Sequence, residues 1–199
     1  MISKIEIEQF IGNTRWAEYS EPFRDKNFDF TVECYRFDCE LRGILMSAIA
    51  VIEIAMVTQL QLVGRFNSFE SFGQARRALD TLPDKARNQI ARNLGVSNFR
   101  KLRGALQNLN YLRNRVAHHE RIWNHRNRFA FPQITNKTPF SDLGSVTNRH
   151  VLAFSIIGIA SLIETCPLVF DFEERVISLV ESHGNTKFFL LNSMGFEAA

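Results

Sequence analysis

The stretch RNRVAHHERIWNHR, from Arg113 to Arg126, holds four arginines and three of the chain's five histidines against one acid, Glu120. Guanidinium and imidazole together suit work on a phosphodiester. An arginine stabilises charge that develops on a phosphoryl oxygen. A histidine moves protons near neutral pH. No cluster of acids accompanies them, and adjacent His118 and His119 lack the i, i+4 spacing of a helical zinc pair. The residue types therefore predict no metal and no cofactor, and they fit metal-free RNA cleavage. In that chemistry the 2′-hydroxyl is the nucleophile, and the products are a 2′,3′-cyclic phosphate and a 5′-hydroxyl. The same histidines have a structural use, because a helix C-terminus attracts positive charge.

On a helix, residues three and four apart share a face. Tyr111, Asn114 and His118 then line one side, with Asn114 able to orient the imidazole. His119 falls with Leu112, Val116 and Trp123, close to the apolar stripe. Arg113 lies about 140° around the axis from His118, at ~100° per residue. Trp123 could stack on a base, but its spacing favours the core.

The elements that must position these residues are helical. Apolar residues recur at three- and four-residue steps through Phe30, Cys34, Phe37, Leu41, Leu45, Ala48, Ile52 and Ala55. This predicts one long helix from an Asp29 N-cap to about Leu62. A second long helix starts at a Ser97 cap, buries Leu102, Leu106, Leu109, Leu112 and Val116, and carries the motif near its end. Shorter helices are predicted over Ser3 to Ile11, Ser71 to Leu79, Pro83 to Leu94, Thr147 to Thr165 (ended by Pro167) and Phe172 to Ser182. A polar connector is expected around Glu21-Pro22, a surface loop from Asn124 to Val146, and a tail, NTKFFLLNSMGFEAA, at the end. No strand alternation is evident. The fold class is all-α, a helical bundle built on two long helices with additional shorter ones.

Composition narrows the setting. Apolar content of 45% with 23% charged residues sits near globular averages and argues against disorder. Cys34, Cys39 and Cys166 make no disulfide framework and no CxxC pair, which predicts buried thiols and a reducing, cytoplasmic location. The opening MISKIEIEQF has no basic region before an apolar core, so no secretory leader is expected. ILMSAIAVIEIAMV carries Glu53, and VLAFSIIGIASLI falls short of the ~20 residues a spanning helix needs; both read as core helices, with no membrane partner. The net charge is only +3, yet Arg100 to Arg128 holds eight basic residues against Glu120, a local +7. Arg100, Lys101, Arg103, Arg115, Arg121, Arg126 and Arg128 are the candidate RNA-binding residues, since a local basic patch attracts a polyanion whatever the overall charge.

LRNRVAHHERIWN resembles the signature of the Abi-like (abortive-infection) proteins of the HEPN superfamily, through Arg-Asn, three residues, His-His, then Trp-Asn. YRFDCELRGILMSAIAVIEIAMVTQL resembles the family's Y-x-F-D…L-R…E-I segment, and NSMGF its closing Met-Gly-Phe element. The likeness runs from about Tyr35 to Phe196, with Val57 standing where an arginine often follows the glutamate. It implies an N-terminal helical lead-in over residues 1–28 and a HEPN-like domain over 29–199. It also implies a metal-independent endoribonuclease, acting in phage defence or a toxin system. Arg113 and His118 match the catalytic R-x4-H pair, Asn114 the polar residue after the arginine, His119 the second histidine, and Glu53 the acidic position. The resemblance further implies a homodimer with a composite site, and an antitoxin protein or RNA as a further partner.

Glu53 sits in an apolar stretch, and a buried carboxylate wants a cation. Arg113 is the expected partner, with a structural pair to another arginine as the alternative. The competing function is a non-catalytic RNA- or nucleotide-binding module, which would keep the basic patch and lose nothing on His118→Ala. An adenylyl-transfer role is disfavoured: in such pairs a tyrosine stands two residues after the histidine, and here that residue is Glu120.

Overall fold

The computed structural model describes residues 3–21, 27–64, 66–68, 71–134, 139–165 and 171–197. Among them are nine α-helices and no strand. These are α1 (Lys4–Ile11), α2 (Asn13–Ser20), α3 (Phe28–Gly64), α4 (Phe72–Thr81), α5 (Asp84–Asn93), α6 (Phe99–Ala117), α7 (Leu152–Ile163), α8 (Phe172–Ser182) and α9 (Lys187–Met194). The all-α bundle expected from the periodicity is the fold observed.

α3 is the axis. Its 37 residues span roughly 55 Å at 1.5 Å per residue, and α2, α4, α5, α6, α7 and α8 all pack on it. The stripe Cys34, Phe37, Leu41, Leu45, Ala48, Ile52 is buried, continued by Ile49, Met56 and Leu60. Length and composition alone would let α3 cross a bilayer; in this fold six other helices pack on it, while Ile54 and Leu62 stay exposed. α6 buries the stripe read from the sequence, Leu102, Leu106, Leu109, Leu112 and Val116, together with Ala105.

Most helix starts fall within one or two residues of those predicted, but α7 begins at Leu152, five residues after the expected Thr147. Asn27, not Asp29, caps α3, its side-chain oxygen accepting from the Phe30 amide at 2.8 Å. Asn98, not Ser97, caps α6 by accepting from Lys101 at 3.0 Å. In each case the side-chain carbonyl reaches the amide three residues on, the geometry of an N-cap. Pro83 is the N-cap residue of α5. Ser3 closes a reciprocal capping box with Glu6 on α1.

α2 and α9 are helices that periodicity does not announce, each only eight residues long. α2 buries Trp16 and Tyr19; α9 buries Leu190, Leu191 and Met194 and stops at Gly195, whose φ of 100° is left-handed. The described residues between Asn124 and Val146 are irregular apart from a single 3-10 turn at Ser141–Leu143, yet they are not all surface. Asn127, Phe131, Phe140 and Leu143 are buried. Phe131 lies so close to Gly158 that a Cβ there would meet its ring at 2.1 Å. The Pro22 connector, Cys166 and Pro167 lie outside the described residues; Cys34 is buried and Cys39 half-buried.

Candidate functional site

The motif straddles the end of α6. The helix stops at Ala117 and His118 is its C-cap. His119 takes φ 56°, the left-handed region that glycine normally occupies after a helix. Its amide donates to Val116 O at 3.0 Å, and the Glu120 amide donates to Arg115 O at 2.9 Å. These two bonds are the Schellman closure, with a histidine in place of glycine at a cost of about 1 kcal/mol. His119 therefore does not lie on the apolar stripe with Val116 and Trp123; the reversal swings it out, and it is exposed. Trp123 is off the helix and fully buried, so it belongs to the core and offers no face to a base.

His118 and Asn114 are exposed at this helix end. The His118 amide donates to Asn114 O at 2.9 Å. Arg113 is half-buried and faces α3, its Nε 3.5 Å from Glu53 Oε1. The expected pairing is thus the one observed. At that distance it is a loose ion pair, and Glu53 Oε1 is buried without a formed hydrogen bond. Burial pushes the Glu53 carboxyl above the usual glutamate value, and Arg113 opposes the rise. Arg113 and His118 share the helix end, but no contact joins them within one chain.

What holds the turn after the motif in place is a group that the sequence quotes but does not explain. Asp38, fully buried on α3, accepts at Oδ1 from the amides of Ile122 (2.9 Å) and Trp123 (2.8 Å). At Oδ2 it accepts from the Tyr19 hydroxyl at 2.5 Å and from Arg42. Arg42 also reaches Glu120 O at 3.4 Å and Cys39 Sγ at 2.9 Å. Burial pushes the Asp38 carboxyl upward, while Arg42, the hydroxyl and the two amides pull against it. All four partners donate, so the site is built around a carboxylate. Asp38 and Arg42 are the D and R of YRFDCELR, and a buried charge pair one turn apart was the available signal.

The seven basic candidates divide into two groups. Arg103 pairs with Asp80 at 3.0 Å. Arg115 pairs with Glu120 at 2.6 Å and donates to Arg121 O at 2.8 Å. Arg121 donates to Glu18 O. These three are occupied in holding the fold. Arg100, Arg126 and Arg128 are exposed and Lys101 is half-buried, and none of the four has an ion pair among the described residues. Arg100 and Lys101 line a cleft of about 500 Å³ with Arg149, roughly 25 Å along α6 from the motif at 1.5 Å per residue. His125 is held by the Tyr111 hydroxyl at 2.8 Å. Burial, with Arg115 and Arg121 nearby, pulls its pKa down to about 4, so it is a neutral imidazole at physiological pH. No group of His, Cys, Asp and Glu among the described residues is arranged to hold a metal ion.

The fold and site together define an all-α bundle with an Arg-x4-His pair at the end of its second long helix, braced from its first. Residues 65–124 match the family model described as Abi-like protein, and this supports the Abi-like family. The matched stretch takes in α4, α5, α6 and the turn through Asn124. It stops short of Asp38 and Glu53 on α3, where the likeness to that family's pattern rests on the sequence alone. No curated protein matches the chain significantly, and no solved structure does.

Proposed function

We propose that this chain is a metal-independent endoribonuclease of the HEPN type, acting in phage defence or a toxin system. The observation that carries the reading is the state of the motif's two members. Arg113 is steadied by Glu53 but not saturated. His118 stands exposed at the helix end, with no side-chain hydrogen bond or ion pair among the described residues. Side chains kept for structure are satisfied internally, as Asp38 and Arg42 are; this pair is left open to something outside the chain. The Abi-like match over the motif helix supports the defence context.

The chemistry follows from these groups. A base takes the proton of a ribose 2′-hydroxyl, whose oxygen attacks the adjacent phosphorus. The bond to the 5′-oxygen breaks, and an acid protonates that leaving oxygen. Arg113 stabilises the charge on the non-bridging oxygens. One imidazole cannot stand on both sides of the phosphorus. His118 from each subunit of a homodimer would supply base and acid across a two-fold axis, and the helix-end placement of His118 is compatible with that axis. His125, held neutral, is a poor substitute acid at pH 7. Arg126, Arg128, Arg100 and Lys101 supply unspent charge for the RNA backbone.

The deciding experiment is cleavage of labelled total RNA in EDTA, wild type against His118→Ala. Cleavage to cyclic-phosphate ends by the wild type alone is the expected result. Equal turnover by the two proteins would remove His118 from catalysis, and RNA binding without any cleavage would make the chain a binding module.

A further inference from the structure

We propose that the cleft between α2, α3 and the end of α6 binds a nucleoside phosphate, its phosphate on Arg15 and its base along the apolar floor. The cleft has a volume of about 750 Å³, in the range of small-molecule sites. It lies beside the R-x4-H pair and contains neither Arg113 nor His118.

The polar lining is cationic or donating. Arg15, Tyr35, Arg42 and His119 line it, and no carboxylate does among the described residues. Arg42 is already neutralised by Asp38, so it adds donors rather than net charge. Arg15 is the uncompensated cation. It has no ion pair among the described residues, and its Nη1 is buried without a hydrogen-bond partner. A buried guanidinium nitrogen left unpaired is costly, and an anion drawn to Arg15 would offset a charge that no carboxylate lining the cleft balances among the described residues. Arginine's fork suits the paired oxygens of a phosphate.

His119 gives a second, independent indication. Its left-handed backbone costs what glycine would not, and the reversal leaves His119 lining this cleft. Strain held at one residue is a mark of function. The remainder of the lining is apolar, with Met46, Val116 and Ala117 among it and Phe10 at the rim. Inorganic phosphate would leave that surface uncovered. A ligand with a flat, weakly polar body attached to the anion covers both. The nucleotide could be free or one unit of an RNA strand; in the second case the site is a subsite of the ribonuclease proposed above and rests on that reading.

Calorimetric titration of the full chain tests this with four probes: adenosine 5′-monophosphate, adenosine, inorganic phosphate, and a 2′-O-methyl RNA octamer that lacks the nucleophile for cleavage. The monophosphate should bind at least tenfold more tightly than adenosine or phosphate. Arg15→Gln should weaken it at least tenfold, and Arg15→Lys by less. Because Arg15 has no ion pair among the described residues, the melting temperature of the unliganded variants should stay close to wild type. Octamer binding with the same Arg15 dependence, and none by the monophosphate, would assign the site to the polymer. His118→Ala should lose cleavage and keep monophosphate binding, so failure of the ribonuclease reading and failure of this site are separable. Affinities unchanged by Arg15→Gln for both monophosphate and octamer would overturn the proposal. If Arg15→Gln does not fold, a wild type that prefers the monophosphate to neither adenosine nor phosphate overturns it equally.

Discussion

Two acid–arginine pairs anchor α6 and its following turn to α3, and they are built to opposite specifications. Asp38 and Arg42 are almost wholly buried, and every oxygen of the aspartate is filled by a donor. Glu53 and Arg113 are a quarter and two-fifths exposed at the side chain and stand 3.5 Å apart. The first pair spends all its bonding capacity within the chain. The second leaves a guanidinium half in solvent with most of its donors unspent. Saturation marks the pair that holds the structure, and incompleteness is what the proposed ribonuclease reading asks of the other.

The largest effect should come from breaking the saturated pair. Asp38→Ala leaves Arg42, the Tyr19 hydroxyl and two buried amides without their acceptor. Removing one partner of a buried ion pair costs about 3–5 kcal/mol. Urea unfolding should show a loss of that order, and the turn from Glu120 to Trp123 should lose hydrogen-exchange protection first. A loss below about 1 kcal/mol would mean the two pairs are not distinct in kind.

Breaking the open pair should act on catalysis instead. Arg113→Ala and His118→Ala should each lower RNA cleavage by about 10²- to 10⁴-fold, the usual worth of a positioned acid–base or charge-stabilising group. The unfolding midpoint of His118→Ala should stay near wild type, because that side chain is exposed, and that of Arg113→Ala should fall only slightly, because it loses one half-exposed ion pair with Glu53. Arg113→Lys should recover little, since an ammonium lacks the planar fork. A variant that unfolds in step with its loss of activity would place its residue with Asp38.

Much of this contrast was legible in the sequence, and its limits are physical. The stripes of α3 and α6 follow from helical periodicity because a half-buried helix must sort its residues by face. The Glu53–Arg113 pairing followed from a carboxylate in an apolar stretch needing a cation. The part Asp38 plays in holding the turn is not legible in the sequence, because its partners at Ile122 and Trp123 are backbone amides, and amides carry no residue signature. His119 was placed on the wrong side because face arithmetic assumes that the helix continues, whereas it ends one residue earlier at the cap. Arg103, Arg115 and Arg121 counted towards a basic patch from charge alone; only their neighbours in the fold reveal that they are already engaged.

The strained turn offers a smaller test. His119→Gly removes the Cβ that makes φ 56° costly and should raise stability by about 1 kcal/mol, offset in part by the chain entropy glycine adds when unfolded. Asp38 and Arg42 fix the turn independently, so its conformation should persist. A destabilised His119→Gly protein would show that the imidazole makes a supporting contact, and that the saturated pair is not sufficient to hold the turn.

The smallest effect belongs to Glu53→Gln, which sharpens the comparison most. The substitution keeps the shape and removes the charge. If Glu53 only orients Arg113, cleavage should fall by about three- to tenfold, far less than for loss of Arg113 itself, and stability at neutral pH should change by less than ~1 kcal/mol, as for other half-exposed ion pairs. The pH dependence gives the sign. Burial raises the folded carboxyl above its unfolded value despite Arg113, so folding favours the protonated form. The stabilisation from Glu53 is therefore full below the unfolded pKa and is lost as pH rises through the folded one. Glu53→Gln should flatten that part of the stability profile and leave the neutral-pH plateau level with wild type or slightly above it. Asp38→Asn, with four donors facing a side chain that now donates as well, should do the reverse and lower the plateau by several kcal/mol. Equal responses to the two conservative amides would dissolve the distinction between an ion pair that holds the fold and one that presents an arginine.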